Sequence, residues 1–456
     1  MAKYVFLISL MCVLVAQSQD TLTFNDYLAL VKAKHPSSKQ ADLIADMGNQ
    51  KVKEARGNFD PNLFLKYKNK DFKDKEYYSL FKAGVEIPTI TGITFQGGYE
   101  QNEGYYLNPE NNVTDYGVSY IGFTVPLGKG MFTDENRQAL RQAKILQKKS
   151  IQDRQLALNE LLLEAATAYW EWYFTFQQMK AIELTYTLAE KRFKNIKRSF
   201  EYGELAQLDT IKAFVQMQDR SISFREVFVN WRSQSYQLNN FIWDTSLVLN
   251  ENLIPENTIG SYINNISPDL NYLDSIVNNT PYLISYQLKV DALKAERLYK
   301  IEKLKPKINL EYNYLYQSGN IEVPSTLSTN YKWGVSASFP LFIRSERAGL
   351  KMNTIKLQDT YYNLNLKERE LSNKIQAAAF ELETLLSQYA SVLQNIAAYN
   401  SLVAAEQVKF DIGESDLFKL NAWESKFQEA LVKQAKLEYK IMKAKAKLDY
   451  LSNTFD

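Results

Sequence analysis

The stretch SFEYGELAQLDTIKA, residues 199–213, contains Gly203, the single glycine between Met131 and Ile254 in a run that has no proline at all. Sequence so free of helix breakers reads as helix on both sides of that glycine. Gly203 then reads as the C′ residue that permits a left-handed turn between two antiparallel helices. Working outward, Met131 to Tyr202 is one arm and Glu204 to Ile254 the other. The same plan recurs later in the chain: Leu350 to Ile412 lacks glycine and proline, Gly413 interrupts in FDIGESDLFKLNA, and Glu414 to Asp456 returns. At 1.5 Å per residue the first arms are helices on the order of 100 Å long. In LALNELLLEAATAYWEWYF and IQAAAFELETLLSQYASVLQNIAAY, apolar and small residues recur at spacings of three and four, as coiled-coil packing requires. The aromatic run Tyr169, Trp170, Trp172, Tyr173, Phe174 and Phe176 covers too many helix faces to be one binding stripe, and reads as helix packing.

The doubling extends upstream of both arms. Pro36 and Pro61 are 25 residues apart, as are Pro281 and Pro306, and each interval is helical in pattern. After the second proline both halves alternate between apolar and polar residues. In INLEYNYLY, Ile308, Leu310, Tyr312 and Tyr314 share a face; in YKWGVSASFPL, Tyr331, Trp333, Val335, Ala337 and Phe339 do the same. The first half carries four such stretches, NLFLKYK, YSLFKAGVEI, GITFQGGYE and YGVSYIGFTVPL, separated by DFKDKE, the turn PTITG and a polar loop. Pro61 to Pro126 spans 65 residues against 34 from Pro306 to Pro340, so the first half has room for an extra hairpin. Each stretch is about the 9–11 residues of a tilted membrane strand, and the tyrosine and tryptophan content of the apolar faces suits a surface meeting lipid head groups. Four strands, or six with the extra hairpin, are too few to close a transmembrane barrel, which takes about eight. Several chains must therefore share one.

Composition narrows the function classes. Charged residues are 23% of 456 with a formal net charge of +2, which gives no reason to propose nucleic-acid binding. The opening MAKYVFLISLMCVLVAQSQD has the layout of a secretory signal peptide over residues 1–18, too short to span a bilayer permanently. Its Cys12 is the only cysteine and lacks the small preceding residue of a lipoprotein box. No later run is apolar for 18 residues, so entry into a membrane would require a closed β-barrel. The lone histidine, His35, precedes Pro36 at a helix start and reads as structural. With no thiol left after signal removal, no catalytic triad, CxxC or HExxH arrangement is available, and no catalytic, metal or cofactor site is expected. VPLGKGMFTDENRQAL places Gly128 and Gly130 between a strand and a helix, but Thr133 stands where a dinucleotide fingerprint needs its third glycine and no βαβ unit surrounds it. The two glycines read as a bend from strand into helix, and Asn112-Val113-Thr114 as a polar loop.

The doubled plan, the FTVPL and SFPL junctions and the tip motifs YGELAQLDTIKA and IGESDLFKLNA resemble the TolC family of bacterial outer-membrane efflux proteins over essentially the whole chain after the signal. That resemblance implies a mainly α fold with transmembrane β: a homotrimer whose β-barrel has 12 strands, or 18 if the extra hairpin joins the wall, continuous with a periplasmic barrel of coiled-coil hairpins. The hairpin folded outside the wall is the other alternative. The chain divides into a first repeat, 19–254, with an equatorial helix, strands about 62–126 and a helical hairpin about 131–250, and a second, 255–456, with an equatorial helix, strands about 308–340 and a hairpin about 345–453. The implied function is the exit duct of a tripartite efflux pump or type I secretion system, with outer-membrane lipid, a periplasmic adaptor and an inner-membrane transporter as partners. A periplasmic coiled-coil scaffold is the alternative function.

The resemblance and the residues together point to Gly203 and Gly413 as hinges, and to Asp209, Glu414 and Asp416 as charge at a tunnel entrance. Glu204, Leu205, Leu417 and Phe418 are expected to touch the adaptor. Family members often carry acids at the second tip, where this chain has Lys419 and Ala422, so an acidic entrance is half supported. Leu205, Leu208, Leu417 and Phe418 read two ways: as a staple closing the turns, or as apolar anchors for a helix-in-groove partner.

Overall fold

The computed structural model describes residues 21–244, 253–256, 259–264, 266, 277–317 and 330–455. The expected signal peptide lies outside them. The described residues form two compact units, one within 1–39, 158–275 and 373–456 and the other within 40–157 and 276–372, so each unit draws on both halves of the sequence. Among the described residues no helix is long and apolar enough to cross a membrane.

The second unit holds a six-stranded antiparallel sheet. Its strands are β2 (Asn62–Phe72), β3 (Lys75–Pro88), β4 (Thr94–Glu103), β5 (Val118–Pro126), β7 (Lys307–Gln317) and β8 (Tyr331–Ser338), in that spatial order. The additional hairpin of the first half is thus part of the sheet, not folded outside it. DFKDKE, expected as a separator, is mostly strand, because the chain reverses in two residues: Lys73 and Asp74 both take φ 55, the paired positive values of a type I′ hairpin turn. Two helices of 22 residues, α2 (Pro36–Gly57) and α6 (Pro281–Glu302), each begin at one of the repeated prolines. Proline suits the first helical turn, where its missing N–H has no intrahelical partner to lose. α2 packs closely on α3 (Glu135–Glu201): a side chain added at Gly48 would lie 2.0 Å from Ser150 Oγ, and Arg154 Nε meets Asp42 Oδ1 at 2.6 Å.

The register keeps the two faces of the sheet distinct from end to end. Ile87, Phe95, Phe123, Tyr312 and Trp333 form one cross-strand row, and Leu63, Val85, Gly97, Ile121, Tyr314 and Tyr331 the next. Tyr312 stacks on Phe123 at 5.8 Å between centroids and on Tyr331 at 6.0 Å. Short of the bulge at Lys70/Asp71, the only charged residue at a paired position on this face is Glu103, at the end of β4. The opposite face carries rows such as Asn62, Glu86, Gln96, Gly122, Asn313 and Lys332. On that face Gln96 Nε2 donates to Asn313 Oδ1 at 2.7 Å and to Glu311 Oε1 at 2.9 Å.

At the junction, Leu127 N–H donates to Ile308 O and Lys129 N–H to Pro306 O, both at 2.7 Å. Gly130 turns the chain at φ 97, and a Cβ at Gly128 would stand 2.1 Å from Pro306 O. Both glycines are therefore required by the bend.

The first unit contains α1 (Phe24–Lys34), the later part of α3, α4 (Gln207–Asn239), α5 (Ile259–Asn264), the later part of α7 (Arg344–Asp411) and α8 (Leu417–Ser452). A two-residue parallel pairing of β1 (Thr21–Leu22) with β6 (Ile254–Pro255) joins its N-terminal segment. The aromatic run lies in its core: Tyr169, Trp170, Trp172, Tyr173 and Phe176 are all buried. It is apolar around the helix because neighbours cover it on several sides. Phe24 of α1 packs on Tyr169 and Trp170, Trp172 Nε1 donates to Ser235 Oγ of α4 at 3.0 Å, and Phe174 stacks on Tyr439 of α8.

α4 ends at Asn239, earlier than the expected boundary near 250, of which 245–252 lie outside the described residues. Asn240 caps the helix: its backbone N–H donates to Gln237 O at 3.2 Å and Phe241 N–H to Leu238 O at 3.0 Å, three-residue bonds that tighten and close the last turn. Phe241 then stacks on His35, Trp243 meets the same ring edge-on, and Lys34 pairs with Asp244. His35 also caps α1, and its Nδ1 accepts from Ser37 N–H at 3.1 Å.

Candidate functional site

Both helix turns are built alike. Gly203 takes φ 80 and Gly413 φ 79. Gly203 N–H donates to Phe200 O and Glu204 N–H to Ser199 O, both at 2.9 Å; Gly413 N–H donates to Phe410 O at 3.1 Å and Glu414 N–H to Lys409 O at 2.8 Å. This is the two-bond Schellman pattern, with glycine at C′, twice over. The returning helices start differently. Asp416 caps α8, accepting from Lys419 N–H at 2.8 Å, whereas Ala206 precedes α4 without a side-chain cap.

The structure separates the expected tip residues by environment. Glu204, Leu205, Leu208, Glu414 and Phe418 are exposed, Phe418 at 81%, while Leu417 is half-buried. Leu208 and Phe418, at 60% and 81% exposure, are too solvated to staple the turns, whereas Leu205 at 39% fits either reading. Asp209 pairs with Lys212 at 3.3 Å within α4, and Asp416 is engaged as a cap. Among the described residues no hydrogen bond or ion pair joins the two turns directly.

The link between the hairpins lies behind the turns, in residues not singled out from the sequence. Arg192, eleven residues before Gly203, reaches Glu424, eleven residues after Gly413, by a two-pronged contact of 2.9 and 2.5 Å. The same guanidinium donates to Asn421 Oδ1 at 3.1 Å and to Gln407 Oε1 of α7 at 3.3 Å. The side chains are 11% and 8% exposed, so the pair is shielded from water. Arg220 of α4 adds bonds to Gln428 Oε1 (2.5 Å) and Ser425 Oγ (2.6 Å) of α8, and Thr185 of α3 donates to the same Gln428 oxygen at 2.8 Å. Burial lowers the Arg220 pKa. The four long helices are thereby tied together at one level.

A second buried polar cluster surrounds Glu438 of α8. Gln434 Nε2 (2.8 Å) and Tyr389 Oη (3.0 Å) donate to one carboxylate oxygen, and Tyr173 Oη (3.4 Å) to the other. The cluster borders a cleft of about 400 Å³ with Gln177, Lys180, Leu184 and Leu431 in its wall. Burial pushes the Glu438 pKa up despite the three donors, and pushes Tyr389 up to about 12. A carboxyl with a raised folded-state pKa contributes stability below its unfolded pKa and loses it as pH rises through the folded value. Glu438→Gln should therefore melt with the wild type at pH 4 and above it at pH 8, since the amide supplies an acceptor without the charge. Parallel melting curves at both pH values would remove the assignment.

Among the described residues no group of three or more His, Cys, Asp or Glu side chains is arranged to hold a metal ion. Residues 272–454 match the family described as Outer membrane efflux protein. No curated protein matches the sequence. Among solved structures, the chain is similar to the CmeC outer membrane channel of Campylobacter jejuni, with 13% identity, 95% of this chain and 87% of that chain covered, and a TM-score of 0.67. It is similar to the outer membrane protein VceC of Vibrio cholerae, with 11% identity, coverage of 94% and 95% and a TM-score of 0.64. The open state of the MtrE outer membrane channel of Neisseria gonorrhoeae gives 12%, 93% and 87%, and 0.63. At these identities the likeness establishes the fold.

Proposed function

We propose that this chain, whose residues 272–454 match the outer membrane efflux protein family, is the outer-membrane exit duct of an efflux or type I secretion assembly. The observation that carries the reading is the sheet, in which a paired face nearly free of charge backs onto a charged and glycine-containing one across all six strands. Leu63 and Leu65 on edge strand β2 are 84% and 68% exposed, and Trp333 and Val335 on edge strand β8 are 62% and 57% exposed. An open edge bearing an apolar face is stable neither in water nor in lipid, where every backbone group must be paired.

Closure by copies of the chain resolves this. The chain enters and leaves the sheet at the same end, so each copy contributes an even number of antiparallel strands. β2 and β8 run in opposite directions and could continue the antiparallel order between copies. Three copies would give 18 strands, the larger of the two barrels considered, with the polar face inward. The exposed turns at Gly203 and Gly413, with Leu205, Leu208 and Phe418, would receive a periplasmic adaptor, and an inner-membrane transporter would supply the energy. Asp209, Glu414 and Asp416 would place negative charge at the helix-turn entrance, and Gly203 and Gly413 would fix its geometry.

Purified protein reconstituted in a planar lipid bilayer is expected to conduct in discrete steps. Folded protein that neither inserts nor conducts, and that salt extracts from membranes, would instead indicate a periplasmic coiled-coil scaffold.

A further inference from the structure

Short of the bulge at Lys70/Asp71, the paired positions on the polar face of the sheet carry six lysines, Lys66, Lys68, Lys70, Lys82, Lys307 and Lys332, against three glutamates, Glu86, Glu100 and Glu311. The positive charge is unevenly placed. Lys82 is paired with Glu100, and Glu311 is held by the amides of Gln96 and Asn313. Lys66, Lys68 and Lys70 stand at alternate positions of β2, on one face, and make no ion pair with a described residue. Lys66 lies directly across from Lys82, a like-charge pairing that costs stability in a sheet. The only carboxylate in that row, Glu100, is already taken by Lys82.

Closure of the sheet does not neutralise the ladder. If β8 of a second copy pairs with β2, its polar face brings Lys332, Gly334, Ser336 and Ser338, with no carboxylate among them. The lysines also lie toward the end of β2 that meets the Lys73–Asp74 turn, away from the end that follows α2. Three copies multiply the surplus threefold in a confined, water-filled passage, where charge of one sign concentrates counter-ions.

We propose that Lys66, Lys68 and Lys70 form an anion-attracting section of the passage whose charge exceeds the negative charge at the helix-turn entrance, where Asp209 is offset by Lys212, making the channel chloride-preferring and favouring cargo that carries carboxylate, phosphate or sulfate groups. The inference rests on the duct reading and adds the charge of what passes. A lysine wall admits anions by lowering their energy inside the pore and repels cations by the same field, as rings of Lys or Arg do in anion pores.

The test is the reversal potential of reconstituted channels in a tenfold potassium chloride gradient, followed by tripolyphosphate added to each side in turn. Wild-type channels are expected to reverse on the chloride side, and to be blocked more strongly from the side of the Lys73–Asp74 turn. The triple variant Lys66→Glu, Lys68→Glu, Lys70→Glu should reverse on the potassium side and lose at least tenfold in sensitivity to that block. A neutral variant, Lys66→Gln, Lys68→Gln, Lys70→Gln, keeps the test usable if the glutamates prevent insertion, and should fall between the two. Conducting channels that prefer potassium in the wild type, or whose reversal potential and block are the same in wild type and variants, would overturn the inference while leaving the duct reading intact. Absence of conductance from folded wild-type protein would overturn both.

Discussion

Glu424→Ala is expected to lower stability by about 3–5 kcal/mol, the range for breaking a buried ion pair from one side. The loss exceeds that of a surface pair, about 0–1 kcal/mol, because Arg192 cannot shed its charge and is too buried to recover its water. Its remaining neutral partners, Asn421 at 3.1 Å and Gln407 at 3.3 Å, make longer contacts and carry no balancing charge. Glu424→Gln should cost less, since one oxygen can still accept from the guanidinium. Replacing both partners, Arg192→Met with Glu424→Leu, should recover much of the loss by removing both buried charges. Thermal unfolding of the four proteins gives the comparison as a double-mutant cycle. A double variant as unstable as Glu424→Ala would mean that packing, not charge, dominates this position. If the network also holds the helix ends together, the single variant should show more frequent open-channel steps in the bilayer.

The residues that carry that prediction were invisible in the sequence, and the reason is distance along the chain. Arg192 and Glu424 are 232 residues apart, and nothing local to either distinguishes it from the many charged residues on solvated helix faces. The turns were legible because glycine at a left-handed position is a local requirement, satisfied at Gly203 and Gly413 where the surrounding sequence offers no other breaker. Alternation likewise exposed the apolar face of each strand. It could not show whether the extra hairpin continues the sheet or folds away from it, because alternation fixes the two faces of a strand and not which strand lies beside it. The Lys73–Asp74 turn was missed for a different reason: two positive φ values usually call for glycine or asparagine, and here neither is present. The Leu208 and Phe418 side chains illustrate the same limit, since an anchor and a staple need the same residue type and differ in how far they stand in solvent.

Gly203→Val should reduce export strongly while leaving the amount of protein in the outer membrane close to that of the wild type. A Cβ built on Gly203 meets no atom within 4 Å, so the substitution creates no clash and its cost is confined to the backbone. At φ 80 a β-branched residue is strained by about 1–3 kcal/mol, which is enough to shift the turn but small against the packing of helices of 67 and 33 residues. The strain would be relieved by moving Glu204 and Leu205, the residues proposed to meet the adaptor, and by breaking the Glu204 N–H bond to Ser199 O. Gly203→Asn separates this explanation from a simple demand for a small side chain. Asparagine tolerates left-handed backbone, as Asn453 does at φ 59 at the end of α8, so the Asn variant should retain export. Substrate export and adaptor cross-linking in cells carrying each variant read the outcome. Equal export by Val and wild type would show that the turn's geometry is not functional, and equal loss by Val and Asn would show that side-chain size at the contact, not backbone conformation, is what the partner senses.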